Sequence, residues 1–102
     1  MEGRASISSD ILARYAADAA RDVDGVSALV ESHIPRHRGV RVLGEDGGPV
    51  RIEVHVEAEW GASLPEVGRE VQRRVRDYLL RMADVEPETV DVVVDDVAAP
   101  AR

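Results

Sequence analysis

Between residues 50 and 60 the chain alternates without an error. Val50, Ile52, Val54, Val56, Ala58 and Trp60 are apolar, while Arg51, Glu53, His55, Glu57 and Glu59 between them are charged or polar. Successive side chains of a strand point to opposite faces, so a period of two over this length marks a strand with one face buried and one in water. The sheet that holds it is expected to be covered by helices on one side only, leaving a charged face open to solvent or to a partner.

Two segments supply the cover. Ile7 to Val23 reads as a helix, with Ile11, Leu12, Tyr15, Ala16, Ala19, Ala20 and Val23 recurring at three- and four-residue steps and Arg14, Asp18 and Arg21 opposite. Ser8 or Ser9 caps its start, Asp10 favours its first turn, and Gly25 before Val26 suits a left-handed stop. The second helix starts after Gly61, where Ser63 and Glu66 have capping-box spacing and Pro65 is tolerated in the first turn. Leu64, Val67, Val71, Val75, Tyr78, Leu79 and Met82 make its apolar stripe, and Leu80 falls on the wrong side of it. Its charged face offers four-residue pairs, Glu70 with Arg74 and Asp77 with Arg81.

The remaining segments are shorter. Residues 27–38 (SALVESHIPRHR) break around Pro35 and read as a short helical turn followed by loop. Val40 to Leu43 reads as a strand, residues 44–49 (GEDGGP) as a turn, and residues 90–97 as a last strand with Val90, Val92 and Val94 inward and Asp91, Val93 and Asp95 outward. The order α-β-β-α-β predicts an α+β two-layer sandwich: a three-stranded mixed sheet with helices on one face, its last two strands made parallel by the crossover through the long helix. Residues 7–97 form the single domain, between a disordered N-terminus at 1–6 and a disordered tail at 98–102.

Composition removes whole classes of function. A chain of 102 residues, 44% hydrophobic and 32% charged, suits one core and is too short for a two-domain enzyme. It has no cysteine, which excludes disulfides and thiolate metal sites. A formal charge of −7 repels nucleic-acid phosphates unless basic groups segregate. No apolar run approaches the roughly 20 residues that span a bilayer, and Met1 to Ser6 lacks the hydrophobic stretch of a secretory signal, which points to a cytosolic product.

The ordered set of these segments resembles the alkaline shock protein family, the envelope stress response proteins of Gram-positive bacteria. The resemblance runs through ISSDILARYAADAARDVDGVSAL (7–29), GVRVLGEDGGPVRIEVHVEAEWG (39–61) and LPEVGREVQRRVRDYLLRMADVEPETVDVVVDDV (64–97). Its most specific marks are the Gly ending the long strand and the valines at 67, 71 and 75. It implies a non-enzymatic, cytoplasmic protein that self-associates, gathers at the inner face of the membrane by binding a membrane-embedded partner, and supports envelope homeostasis under stress. It brings no catalytic residues and no cofactor. The turn at Gly47-Gly48-Pro49 is one residue longer than the compact Asp-Gly turn of the family.

The candidates for chemistry have ordinary readings. His33 and His37 are spaced for a metal on a helix, but Pro35 lies between them and no acidic partner is near in sequence. Glu53, Glu57, Glu59, Asp91, Asp95 and Asp96 would suit a cation or a carboxylate pair, but they read as a solvated acidic face. His55 stands between Glu53 and Glu57, and a carboxylate neighbour can raise an imidazole pKa, but residues two apart on a strand are also simply a mixed charged face, and it reads as a surface histidine. A sheet with one-sided helices is also the layout of K-homology RNA-binding modules, with Arg36, Arg38, Arg41, Arg69, Arg73 and Arg76 as phosphate contacts, but the G-x-x-G loop between two helices is missing. That RNA-binding or regulatory reading is the alternative; no nucleic acid and no direct membrane insertion are expected. The residues chosen as a partner surface are Leu43, Glu53, His55, Glu57, Leu80 and Val93, with Leu43 and Val93 forming a small apolar centre in a charged rim if the strands set them side by side.

Overall fold

The computed structural model describes residues 7–31, 39–44 and 48–100. The expectations for residues 1–6, for His33, Pro35, Arg36, His37 and Arg38, and for Gly47 lie outside them. Six elements follow in order: α1 (Ser9–Arg21), β1 (Val26–Leu29), β2 (Val40–Leu43), β3 (Arg51–Ala58), α2 (Leu64–Ala83) and β4 (Thr89–Val97). The α+β class, the mixed sheet and the one-sided helical cover stand as expected.

The alternating segment is the centre of the sheet. Ile52, Val54, Val56 and Ala58 are fully buried, each isoleucine or valine worth about 1.5–3 kcal/mol of apolar burial. The strand ends at Ala58 rather than Trp60: the Glu59 amide makes a last bond to the Gly25 carbonyl, and the Ala62 amide to the Glu59 carbonyl then closes a turn.

Residues 26–29 form a strand where a helical turn was expected. Four short residues carry too little periodicity to reveal themselves, and the pairing that makes them a strand comes from β3, some thirty residues later. This changes the strand count from three to four, yet the sheet still has three rows. β1 pairs antiparallel with the C-terminal half of β3 and β2 with its N-terminal half, so both lie along the same edge. The Val30 amide donates to the His55 carbonyl and the His55 amide donates to the Gly39 carbonyl. The outer row is thus one interrupted strand that departs at Val30 and resumes at Gly39, directly opposite His55. Gly39 has φ +88, and a Cβ there would lie 2.8 Å from the Val30 carbonyl oxygen.

β4 runs parallel to β3 on its other side, so β3 is the middle row. The ladder pairs Val56 with Val94 and Glu57 with Asp96, which leaves Asp95 as an extra residue on β4, a bulge.

The helices cover the inner face. The Ser8 hydroxyl, rather than that of Ser9, accepts the Ile11 amide at 3.2 Å. Small side chains at Ala13, Ala16, Ala17 and Ala20 bring α1 close to the sheet. Its buried stripe is turned from the expected one: Ile11 is exposed, and Tyr15 points toward α2, where its ring meets Tyr78 edge-on at 5.7 Å. In α2, Val67, Val71, Val75 and Leu79 are buried, while Leu64 and Met82, expected in the stripe, are exposed at its two ends. The Gln72 side chain donates to the Val90 carbonyl at 2.9 Å, tying α2 to β4. Glu70 binds Arg73 and Arg74, whereas Asp77 pairs with Arg73 at 3.6 Å rather than with Arg81, which lies over the Tyr78 ring.

Candidate interaction surface

The bare face of the sheet is built from the outward residues of the three rows: Arg51, Glu53, His55 and Glu57 on β3, Asp91, Val93 and Asp95 on β4, and Arg41 and Leu43 on β2. His55 occupies its middle. Its Nε2 lies 2.8 Å from Glu53 Oε1 and its Nδ1 2.7 Å from Asp95 Oδ2, and its side chain is only 16% exposed. The direct β4 neighbour of His55 is Val93; the bulge is what re-aims the carboxylate of Asp95 at the ring. Burial pulls the imidazole pKa down, but the hydrogen bonds and the charges of Glu53 and Asp95 outweigh it, so the pKa is raised. An imidazolium donating both N–H groups to carboxylates locks two strands together and neutralises part of an otherwise acidic surface. Beside it, the Ser27 hydroxyl contacts Glu57 Oε1 at 2.8 Å, a separate tie between β1 and β3.

The structure brings together Glu53, His55, Glu57 and Val93 from the chosen set. Leu43 shares the face but pairs with Arg51, four residues along β3 from His55, or roughly 13 Å at strand rise, with the whole of β3 between it and Val93. The condition for a Leu43–Val93 apolar centre is therefore not met. Val93 is 37% exposed among charged neighbours, and Leu80, 46% exposed, belongs to α2 in the opposite layer. Of the carboxylates expected to crowd here, Glu59 has left the strand, and the side chain of Asp96 accepts from the Val97 amide. No group of three or more His, Asp or Glu among the described residues is arranged to hold a metal ion. Of the arginines picked as phosphate contacts, Arg73 is committed to Glu70 and Asp77, Arg69 and Arg76 lie with it on α2, and Arg41 stands on the sheet opposite Glu53.

Trp60 was placed in the core by its alternation and escaped the sequence reading as a surface residue. It is 66% exposed, the most open of the large apolar side chains among the described residues. Gly61 immediately after it was the available signal, since a turn there releases the preceding residue from the ladder.

Fold and surface together define a small two-layer α+β domain presenting a bare charged sheet. Its architecture is similar to that of MamM CTD: a manganese form shares 14% identity over 85% of this chain and 96% of that one, with a TM-score of 0.55. A zinc form shares 12% identity over 89% and 87%, with a TM-score of 0.57. The likeness at that identity is one of fold. Residues 1–99 match the alkaline shock protein 23 family, described as having a cell envelope-related function, and the chain belongs to that family. It is also 29% identical over 101 residues to the uncharacterized protein YqhY of Bacillus subtilis (strain 168), covering 88% of this chain and 73% of YqhY.

Proposed function

We propose that this chain is a non-enzymatic envelope stress response domain that self-associates and is recruited to the cytoplasmic face of the membrane by a membrane-embedded protein, supporting envelope homeostasis. The observation that carries the reading is the bare sheet face with His55 clamped between Glu53 and Asp95. Both ring nitrogens are spent on carboxylates, which leaves no lone pair to take a proton from a nucleophile or water. The face is acidic and offers no free imidazole for acid–base chemistry.

Recruitment by protein follows from charge. No helix among the described residues is long and apolar enough to cross a membrane. A net charge of −7, with Glu53, Glu57, Asp91 and Asp95 on the open face, is repelled by an anionic leaflet. Self-association is supported by the outer edges of β4 and of the β1–β2 row, neither of which has a neighbouring strand among the described residues.

The test is fractionation of a tagged copy in its own cells, with and without a high-salt wash, beside filter binding with total RNA. Retention in the washed membrane fraction without RNA retention is expected. Recovery only in the soluble fraction, with tight RNA binding, would replace this reading with the RNA-binding one.

A further inference from the structure

A second surface lies away from the bare sheet, at the end of the molecule where β3 and β4 finish and α2 begins. Trp60, the single tryptophan of the chain, stands in the turn after β3. Leu64 opens α2 and is exposed; Val97, paired with Ala58 at the end of β4, is exposed as well. The Ala98 amide to Ala58 carbonyl bond and the Glu59–Ala62 turn hold these termini beside one another. Scattered single apolar residues are ordinary on a surface, but three large ones gathered at one end, one of them an open indole, match the centre of a binding site.

The neighbouring charge says what fits. Asp24, Glu59 and Glu66 line a cleft of about 650 Å³ on the β1 side of this turn, beside the three apolar residues and not lined by them. Arg73, on the same cleft, is already held by Glu70, which leaves Arg69 as the main counter-charge. A second copy of this chain would bring the same carboxylates against these and be repelled. A basic segment with an apolar anchor is complementary in both respects. The flanks of membrane-spanning helices on the cytoplasmic side are enriched in Lys and Arg next to apolar residues. We propose that the Trp60–Leu64–Val97 end is the docking site for such a basic, apolar-anchored juxtamembrane segment of the recruiting protein. This rests on the recruitment reading above and assigns the surface that performs it.

The variant Trp60→Ser removes the anchor and, at an exposed turn position, leaves the fold intact by circular dichroism and unchanged in melting temperature. Ile11→Ser, at an exposed position of α1 outside both candidate surfaces, is the control. In fractionated cells, wild type and Ile11→Ser are expected in the membrane pellet and Trp60→Ser in the soluble fraction, with its membrane-bound share down about tenfold or more. A pellet that keeps Trp60→Ser overturns the assignment while leaving recruitment in place. If wild type itself is soluble, recruitment fails, and the surface is judged by fluorescence: a synthetic peptide of alternating Lys and Leu should shift Trp60 emission to the blue, and a Glu/Leu peptide should not. Equal response to the two peptides, or none, overturns the docking site.

Discussion

Gly39 and Gly61 offer a matched pair for testing how the outer row of the sheet closes. Their φ angles are +88 and +87, so alanine at either position meets the same backbone strain, roughly 1–2 kcal/mol, offset by about 0.4–1 kcal/mol from a stiffer unfolded chain. The surroundings differ. An added Cβ at Gly61 meets nothing within 4 Å, whereas at Gly39 it lies 2.8 Å from the Val30 carbonyl oxygen and 3.1 Å from the Val30 nitrogen. Those atoms are backbone, and Val30 is fixed by its own bond to His55, so the overlap has to be relieved by moving strand ends at a cost of about 1–3 kcal/mol. Urea unfolding should give Gly61→Ala a loss of about 1 kcal/mol and Gly39→Ala a loss greater by that 1–3 kcal/mol, with equal m-values. In melting temperature the gap is about 4 °C or more. If the two variants agree within about 0.5 kcal/mol, the outer row is not one strand interrupted at His55, and the account of the sheet edge is wrong.

Other perturbations have defined outcomes. Leu79 is fully buried against the sheet, so Leu79→Ala should cost about 2–5 kcal/mol in chemical denaturation. Ser63 accepts the Glu66 amide at a long 3.4 Å, which puts Ser63→Ala at the low end for a lost cap, about 0.5–1 kcal/mol, with membrane retention unchanged. His55 has a raised pKa, so its stabilisation is fully present below its unfolded value near 6.5 and is lost as the pH rises through its higher folded value. Unfolding curves from mildly acidic to mildly alkaline pH should therefore show wild type losing stability relative to His55→Gln on the alkaline side; parallel curves would mean that the two carboxylates do not hold an imidazolium.

Legibility in the sequence followed the length and the locality of each constraint. β3 declared itself because eight consecutive residues of a middle strand obey one period. The interior of α2 did so because Val67, Val71, Val75 and Leu79 all meet the sheet, while Leu64 and Met82 have the right spacing but overhang its ends. β1 was missed because Ser27 and Ala28 are small and exposed and its order is imposed by a distant partner. Glu53 beside His55 was readable from a spacing of two. Asp95 on the other nitrogen was not, since it depends on a parallel register and a bulge that only the assembled sheet contains. The exposure of Trp60 turned on where β3 stops, and alternation alone carries a strand past its true end.

The claim at the centre of the account, that a protein and not lipid holds this domain at the membrane, is tested most directly with purified protein and inverted membrane vesicles from its own cells. Saturable binding to native vesicles, abolished by prior protease treatment and absent on liposomes of the extracted lipids, is the expected result. Equal binding to the bare liposomes would contradict it.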